Sequence, residues 1–401
     1  MQTKRWLLPD GVEEILPPEA RRIELLRRSV LDLFESWGYQ LVIPPLIEYL
    51  DSLLIGQGTD LDLQTFKVID QVSGRMLGIR ADLTSQSARI DAHSLKASGV
   101  VRLCYADTAL RARPEGALAS RTPMVVGAEI YGDASGESDA EVISLAASML
   151  ETVGIESFHL ELGHMGIFRG LADVANLDSE AEQELFEAMQ RKSVADIDQL
   201  LAGAAVPADV RDMIRSLPDL MGDGDVMARA KALLASAPEG VHLALRELGS
   251  IAERVLVRRP SLAVRYDLAE LRGYHYHTGV VFAAYADGYG EAVARGGRYD
   301  DIGSAFGRAR PATGFDAYLT VLARGREASA PRAGVFAPLP AQEPAATSAF
   351  WREVDALRVR GERVVCALRE DEDPRQSGCD RILLRHGDGW QVQPLEDETD
   401  G

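Results

Sequence analysis

At 401 residues the chain is too long for one ordinary core, so two or three domains are expected. Its hydrophobic share of 46% suits a soluble globular protein, and no apolar run approaches the ~20 residues of a membrane span. The net charge of −19 argues against a polyanion as main partner, because phosphate contacts need Lys and Arg; neither membrane nor nucleic acid is expected as a partner.

The opening residues, Met1-Gln2-Thr3-Lys4-Arg5-Trp6, lack an apolar signal core. Cys104, Cys366 and Cys379 show neither metal-ligand spacing nor a disulfide framework, which fits a reducing cytoplasm. Pro17-Pro18 opens a helix whose apolar face is Ile23, Leu26, Val30, Leu33, Phe34 and Trp37, with Gly38 as its C-terminal stop. A short strand, Tyr39 to Ile43, follows. Phe66 to Asp70 and Arg75 to Arg80 read as two strands around a Ser73-Gly74 turn.

Asp82 and Thr84 stand where a helix begins that runs to about Lys96. They serve either as helix caps or as a carboxylate and a hydroxyl at the edge of a site. Val101 to Arg113 and Met124 to Tyr131 form an antiparallel pair. On the second strand Met124, Val126, Ala128 and Ile130 share one face, and Val125, Gly127, Glu129 and Tyr131 the other. Glu129, with Gly127 leaving room above it, can pair with an ammonium group; its rival role is a salt bridge, for instance to Arg111.

Ser138 to Val153 is helical and Phe158 to Leu162 a strand. From about 178 to 252 the periodicity is helical, broken near Gly203, Pro207, Pro218 and Gly222, and reads as a helical insertion. The sheet resumes at Leu262 to Asp267. Then Glu270 to Gly279 packs one acid, one guanidinium, two phenols and two imidazoles ahead of the strand Val280 to Tyr285. Such a turn can converge polar groups on a small ligand; the plain alternative is a hairpin corner whose Tyr and His residues satisfy one another. Next come Glu291 to Ala294, a turn over Arg295-Gly296-Gly297-Arg298-Tyr299-Asp300, and a helix from about Thr313 to Leu322. Beyond a linker, Arg324 to Arg332, a small α/β domain spans 333–395, with a strand (Gly334 to Ala337), a helix (Ser348 to Val359), a strand (Arg363 to Leu368) and a hairpin (Arg381 to Val392). The tail 396–401 is acidic. No phosphate-binding loop or dinucleotide fingerprint occurs, and no cofactor is expected.

From Leu8-Pro9-Asp10-Gly11 to about Leu322 the chain resembles the catalytic body of class II aminoacyl-tRNA synthetases, histidyl-tRNA synthetase in particular. Gly38-Tyr39 to Glu48 is similar to the dimer-forming motif 1. Leu110-Arg111 through Glu129-Ile130-Tyr131-Gly132 is similar to motif 2, and Leu271-Arg272-Gly273-Tyr274-His275-Tyr276 and Gly296-Gly297-Arg298-Tyr299-Asp300 to histidine-specific segments. The resemblance implies an α+β fold, an antiparallel sheet flanked by helices over residues 1–323, followed by the small α/β domain. It implies a histidine pocket of Asp82, Thr84, Glu129, Arg272, Tyr276, Arg298 and Tyr299, altered by Val125 in place of a glutamine and His277 in place of a tyrosine.

The nucleotide positions depart from the synthetase pattern. Arg111 is kept, but Arg113 replaces an ATP-holding glutamate, Val321 replaces the motif 3 arginine, and Tyr318 fills a glycine position. Activation of an amino acid needs positive groups where charge develops on phosphate, which valine does not supply. A damaged nucleotide site beside a kept histidine pocket resembles a paralogous family, the regulatory subunits of short-form ATP phosphoribosyltransferase. That family implies a non-catalytic subunit in the first step of histidine biosynthesis. It would activate a short catalytic subunit in a hetero-octamer, four of each, built on a homodimer core, and would carry feedback by L-histidine. The alternatives are a divergent histidyl-tRNA synthetase, a tRNA-holding module, and a metal protein using His275 and His277.

Overall fold

The structure, a computed structural model, describes residues 7–55, 59–114, 119–203, 206–271, 276–325, 333–340, 344–387 and 389–395. Helix α1 (Glu19–Ser36) buries Ile23, Leu26, Val30 and Phe34, one stripe at helical spacing. Gly38, at φ +85°, ends it: Gly38 N–H donates to Glu35 O at 2.9 Å and Tyr39 N–H to Phe34 O at 3.0 Å. Strands β1 (Gln40–Leu41) and β2 (Ile47–Tyr49), helices α2 (Leu50–Leu54) and α3 (Thr59–Gln64), and the hairpin β3 (Phe66–Ile69) and β4 (Met76–Ile79) follow. Helix α4 (Thr84–Arg89) runs on as a π-helical turn, Ile90–Leu95. Strands β5 (Val101–Thr108) and β6 (Met124–Tyr131) then pair antiparallel in the register Tyr105↔Gly127 and Leu103↔Glu129.

Helix α5 (Gly136–Thr152), strand β7 (Phe158–His164) and helix α6 (Met165–Ala175) lead into the insertion. It comprises α7 (Ser179–Gln190), α8 (Val194–Gly203), α9 (Ala208–Ser216), strand β8 (Met221–Gly222), α10 (Asp225–Leu233) and α11 (Glu239–Arg258). The sheet is completed by β9 (Ala263–Asp267), β10 (Val280–Ala286), β11 (Ala294–Arg298) and β12 (Ala312–Tyr318), and the one-turn helix α12 (Leu319–Leu322) follows. The nine-stranded sheet has the order β1-β5-β6-β12-β11-β10-β7-β9-β8, antiparallel except for β1/β5 and β7/β9. One core runs under one of its faces. Val126, Ala128, Phe315 and Ala317 of the strands pack there with Val142 and Leu145 of α5 and with Leu185, Leu245 and Leu248 of the insertion. The insertion therefore shares the sheet's core, and β8 extends the sheet edge.

Two expectations fail. Residues 313–318 are a central strand rather than a helix; only Leu319–Leu322 is helical. Thr313, Phe315 and Ala317 alternate with Gly314, Asp316 and Tyr318, and neighbours on both sides complete the ladder, a tertiary gain that outweighs local helical preference. Arg295-Gly296-Gly297-Arg298 is strand β11 rather than a turn. Its glycines answer close packing: a β-carbon on Gly296 would strike Gly314 O and Phe282, and one on Gly297 would lie 2.5 Å from Val280 O.

By compactness the chain divides into Met1–Glu327 and Ala328–Gly401. The second unit holds β13 (Gly334–Ala337), α13 (Pro344–Val359), β14 (Val364–Cys366), β15 (Cys379–His386) and β16 (Gly389–Pro394), in the order β14-β13-β15-β16. Its own core is Val335, Ala337, Phe350, Val354, Leu357 and Leu383. The acidic tail 396–401 lies outside the described residues.

Candidate functional site

The face of the nine-stranded sheet away from α5 carries the polar side chains. Its register sets one cross-strand row, Leu103↔Glu129↔Gly314↔Gly297↔Val281↔Gly163. The three glycines of that row are bare patches, and each is covered by a side chain the sequence singled out. A β-carbon on Gly314 would overlap the Glu129 carboxylate, one on Gly297 would lie 3.0 Å from the His277 ring, and one on Gly163 3.3 Å from Glu270 Cβ. The glycine row lets the side chains of Glu129, His277 and Glu270 approach the sheet closely.

Glu129 is 1% exposed. Tyr105 O–H donates to its Oε1 at 2.9 Å and Tyr299 O–H to its Oε2; Thr84 Oγ1 lies 3.1 Å from the Tyr105 hydroxyl. Among the described residues no ion pair reaches it. Burial pushes its carboxyl up to about 8, against the pull of the two phenols, and the charge of Asp82 adds to the rise. Asp82 itself accepts Ser85 N–H at 3.2 Å, so it acts as a turn cap at the edge of the site, and burial raises its carboxyl against the pull of Arg111.

The expected room above Gly127 is filled. The Tyr105 ring lies where a β-carbon on Gly127 would be. The alternative pairing of Glu129 with Arg111 gives way to these phenols: Arg111 donates to Tyr318 Oη at 2.7 Å and to Ala81 O at 3.5 Å.

Tyr276, about half exposed, lies 4.2 Å from His277 and 6.5 Å from Tyr299 between ring centroids, so it borders the Glu129 group through Tyr299. His277 is buried, with Nδ1 3.2 Å from Arg298 O. Burial pulls its imidazole down to about 4, so it is neutral at pH 7. Arg272 and His275 lie outside the described residues.

Arg298 is not in this group. It precedes Tyr299 along the strand direction and so points to the opposite face. There it donates to Asp139 Oδ2 at 2.8 Å, to Ser138 Oγ at 3.0 Å and to the Asp133 and Ser135 carbonyls, which makes it a buried tie between sheet and α5. Of the other residues expected at a vestigial nucleotide site, Arg113 is exposed and Val321 half-buried on α12. Tyr318 occupies the Arg111 guanidinium, so the arginine expected at the nucleotide position of motif 2 is engaged inside the chain. Sequence reasoning missed Tyr105; the register Tyr105↔Gly127 was the signal, a large residue opposite a glycine across an antiparallel pair. Among the described residues no group of three His, Cys, Asp or Glu is arranged to hold a metal.

Sheet order, the acid over its glycine row and the histidine-specific segments together define a histidyl-tRNA synthetase-like body. Residues 11–322 match the family model described as histidyl-tRNA synthetase, and the structure of histidyl-tRNA synthetase from Nostoc shares this fold, with a TM-score of 0.78 at 19% identity over 95% of this chain and 92% of that one.

Residues 332–393 match the model described as ATP phosphoribosyltransferase subunit HisZ C-terminal domain. The ATP phosphoribosyltransferase regulatory subunits of Pseudomonas fluorescens and Pseudomonas aeruginosa are 54% and 52% identical over 395 residues, 98% of each chain. A Bacillus halodurans structure described as an ATP phosphoribosyltransferase regulatory subunit/histidyl-tRNA synthetase superposes with a TM-score of 0.83, at 26% identity over 95% of this chain and 98% of that one. The chain belongs to the ATP phosphoribosyltransferase regulatory subunit family. It is a non-catalytic subunit of histidine biosynthesis, and its partner is the catalytic ATP phosphoribosyltransferase subunit.

Proposed function

We propose that this regulatory subunit carries feedback by L-histidine, bound on the sheet face around Glu129. Free histidine presents an ammonium, a carboxylate and an imidazole, and a specific pocket needs a partner for each. Glu129, with Asp82 and Thr84 beside it, takes the ammonium; Arg272 takes the carboxylate; the aromatic group of Tyr276 and Tyr299 takes the ring. The observation that carries the reading is a buried acid held by two phenols and by no cation among the described residues, at the centre of a glycine-cleared sheet face.

Assembly is part of the same reading: residues 1–323 and 333–395 act as separate domains in a hetero-octamer of four regulatory and four short catalytic subunits, built on homodimer cores. Leu41, Ile43, Leu46, Ile47 and Tyr49, which follow α1, are exposed and suit a contact between copies. A cytoplasmic location goes with three free thiols and, among the described residues, with no helix long and apolar enough to cross a membrane.

The test is titration calorimetry beside an assay of the reconstituted complex. Hydrogen bonds to charged groups contribute roughly 1.5–3 kcal/mol, so Glu129→Ala should weaken histidine binding about ten- to a hundredfold. Activation of the catalytic subunit should persist, because it depends on the assembly contact. Wild-type affinity in the variant would refute the pocket; loss of activation as well would make Glu129 a structural residue.

A further inference from the structure

The protonation of Glu129 follows from its surroundings once histidine is taken as the ligand, and this step rests on that reading. From β5 the group facing Glu129 is Tyr105, and from the α4 entry Asp82 and Thr84. From β6 it is Tyr131, from the end of β11 Tyr299, and from β12 Asp316 and Tyr318. From the segment before β10 come Tyr276 and His277, the latter a neutral imidazole, and from the segment after β5 comes Arg111, which is engaged by Tyr318 and Ala81 O. Among the described residues the groups nearest the acid are phenols, the Thr84 hydroxyl and a second carboxylate. With no cation among them, the anion is costly to bury, and Asp82 adds to that cost.

Tyr299 has somewhere else to turn. The buried hydroxyls of Tyr131 and Ser87 lie beside it; Tyr131 is within loose hydrogen-bonding reach of both Tyr299 and Ser87, and neither Tyr131 nor Ser87 has a well-formed hydrogen bond that would have to break. An arriving ammonium can therefore displace the Tyr299 hydroxyl from Oε2 without stranding it.

We propose that Glu129 holds a proton while Tyr105 and Tyr299 close the empty site, and that it releases this proton to solvent when the histidine ammonium takes the place of the Tyr299 hydroxyl. The step is balanced: the carboxylic acid becomes a carboxylate, one proton leaves, and the ammonium keeps its own protons and pairs with the new anion. Histidine feedback then strengthens as pH rises towards 8, a direction that follows from the free acid losing its proton to make the site.

The experiment is calorimetric titration of the full chain with L-histidine at pH 7.5 in phosphate and in Tris, whose ionisation heats differ, with affinity measured from pH 6.5 to 8.5. At pH 7.5 the free imidazole of histidine is already neutral, so a released proton comes from the protein. The expected result is release of about one proton per histidine, and an affinity that climbs up to about tenfold per pH unit and levels above about pH 8. Glu129→Gln should bind weakly without release. Where that variant binds too weakly to measure, Tyr299→Phe decides, because losing a donor to the carboxylate should move the plateau to higher pH. Histidine binding with no proton release, or release unchanged in Glu129→Gln, or a plateau unmoved by Tyr299→Phe, overturns this inference and leaves the pocket standing. The absence of histidine binding at every pH overturns the pocket itself.

Discussion

Gly314 and Glu129 occupy a single volume between them. A β-carbon at 314 would overlap the Glu129 carboxylate, and strand pairing on both sides prevents the backbone from drifting away. Gly314→Ala should therefore cost about 1–3 kcal/mol of stability, typical of an overpacked core, and should abolish histidine binding; urea denaturation and calorimetry measure the two effects. Glu129 also sets a pH dependence in the free protein. Its folded carboxyl lies near 8, above the value of an unfolded glutamate, so between the two values the folded state binds the extra proton. The stabilisation this gives is fully present below about pH 4.5 and is lost as pH rises through about 8, by an amount on the order of a few kcal/mol. Unfolding free energies of wild type and Glu129→Gln measured from pH 5 to 8.5 should diverge accordingly, with the variant showing the shallower decline. Parallel curves would place the proton elsewhere.

At the scale of elements, β12 and α12 carry the residues on which the expected loss of a nucleotide site rests. Strand β12 places Tyr318 on the same sheet face as Glu129, where its hydroxyl takes the Arg111 guanidinium, and α12 offers Val321 one turn later. Restoring charge at the valine alone leaves Arg111 engaged and Tyr318 in place. Val321→Arg should accordingly show no histidine-dependent exchange of pyrophosphate into ATP, the assay that also separates this protein from a divergent synthetase. Exchange in either the variant or the parent would overturn this account. Strand β11 illustrates the same control by neighbours. Its Arg-Gly-Gly-Arg run has turn-like composition, yet it lies flat between β10 and β12 because only glycine leaves room for Phe282, Gly314 O and the His277 ring.

For the whole molecule, the segment after α1 raises the question of association. Ile43 is 76% exposed, and Leu46 and Ile47 are each about half exposed beside it, an apolar stretch that a lone copy would leave in water. Light scattering of the isolated regulatory subunit at micromolar concentration should give a dimer, and a monomer there would contradict the homodimer core. The second unit has a hydrophobic core of its own, centred on Phe350 and Leu383.

What the sequence determined by itself was the set of elements with strong local signals and the family. The α1 stripe and its Gly38 stop, the alternation of β6, the breaks in the insertion and the elements of the small domain were all legible, because period and cap residues act within a few positions of one another. The ordered motifs were sufficient for the synthetase-like class, and the substitutions at Arg113, Tyr318 and Val321 pointed to a subunit without catalysis. Only the tertiary structure decided that 313–318 is a strand, that Arg295 to Arg298 is no turn, that Arg298 serves α5 rather than the face carrying Glu129, and that Tyr105 closes over Glu129. Each of these depends on which strands become neighbours and in what register. Register follows from burial and close approach between residues as far apart as Glu129 and Gly314, and no local window of the chain contains both.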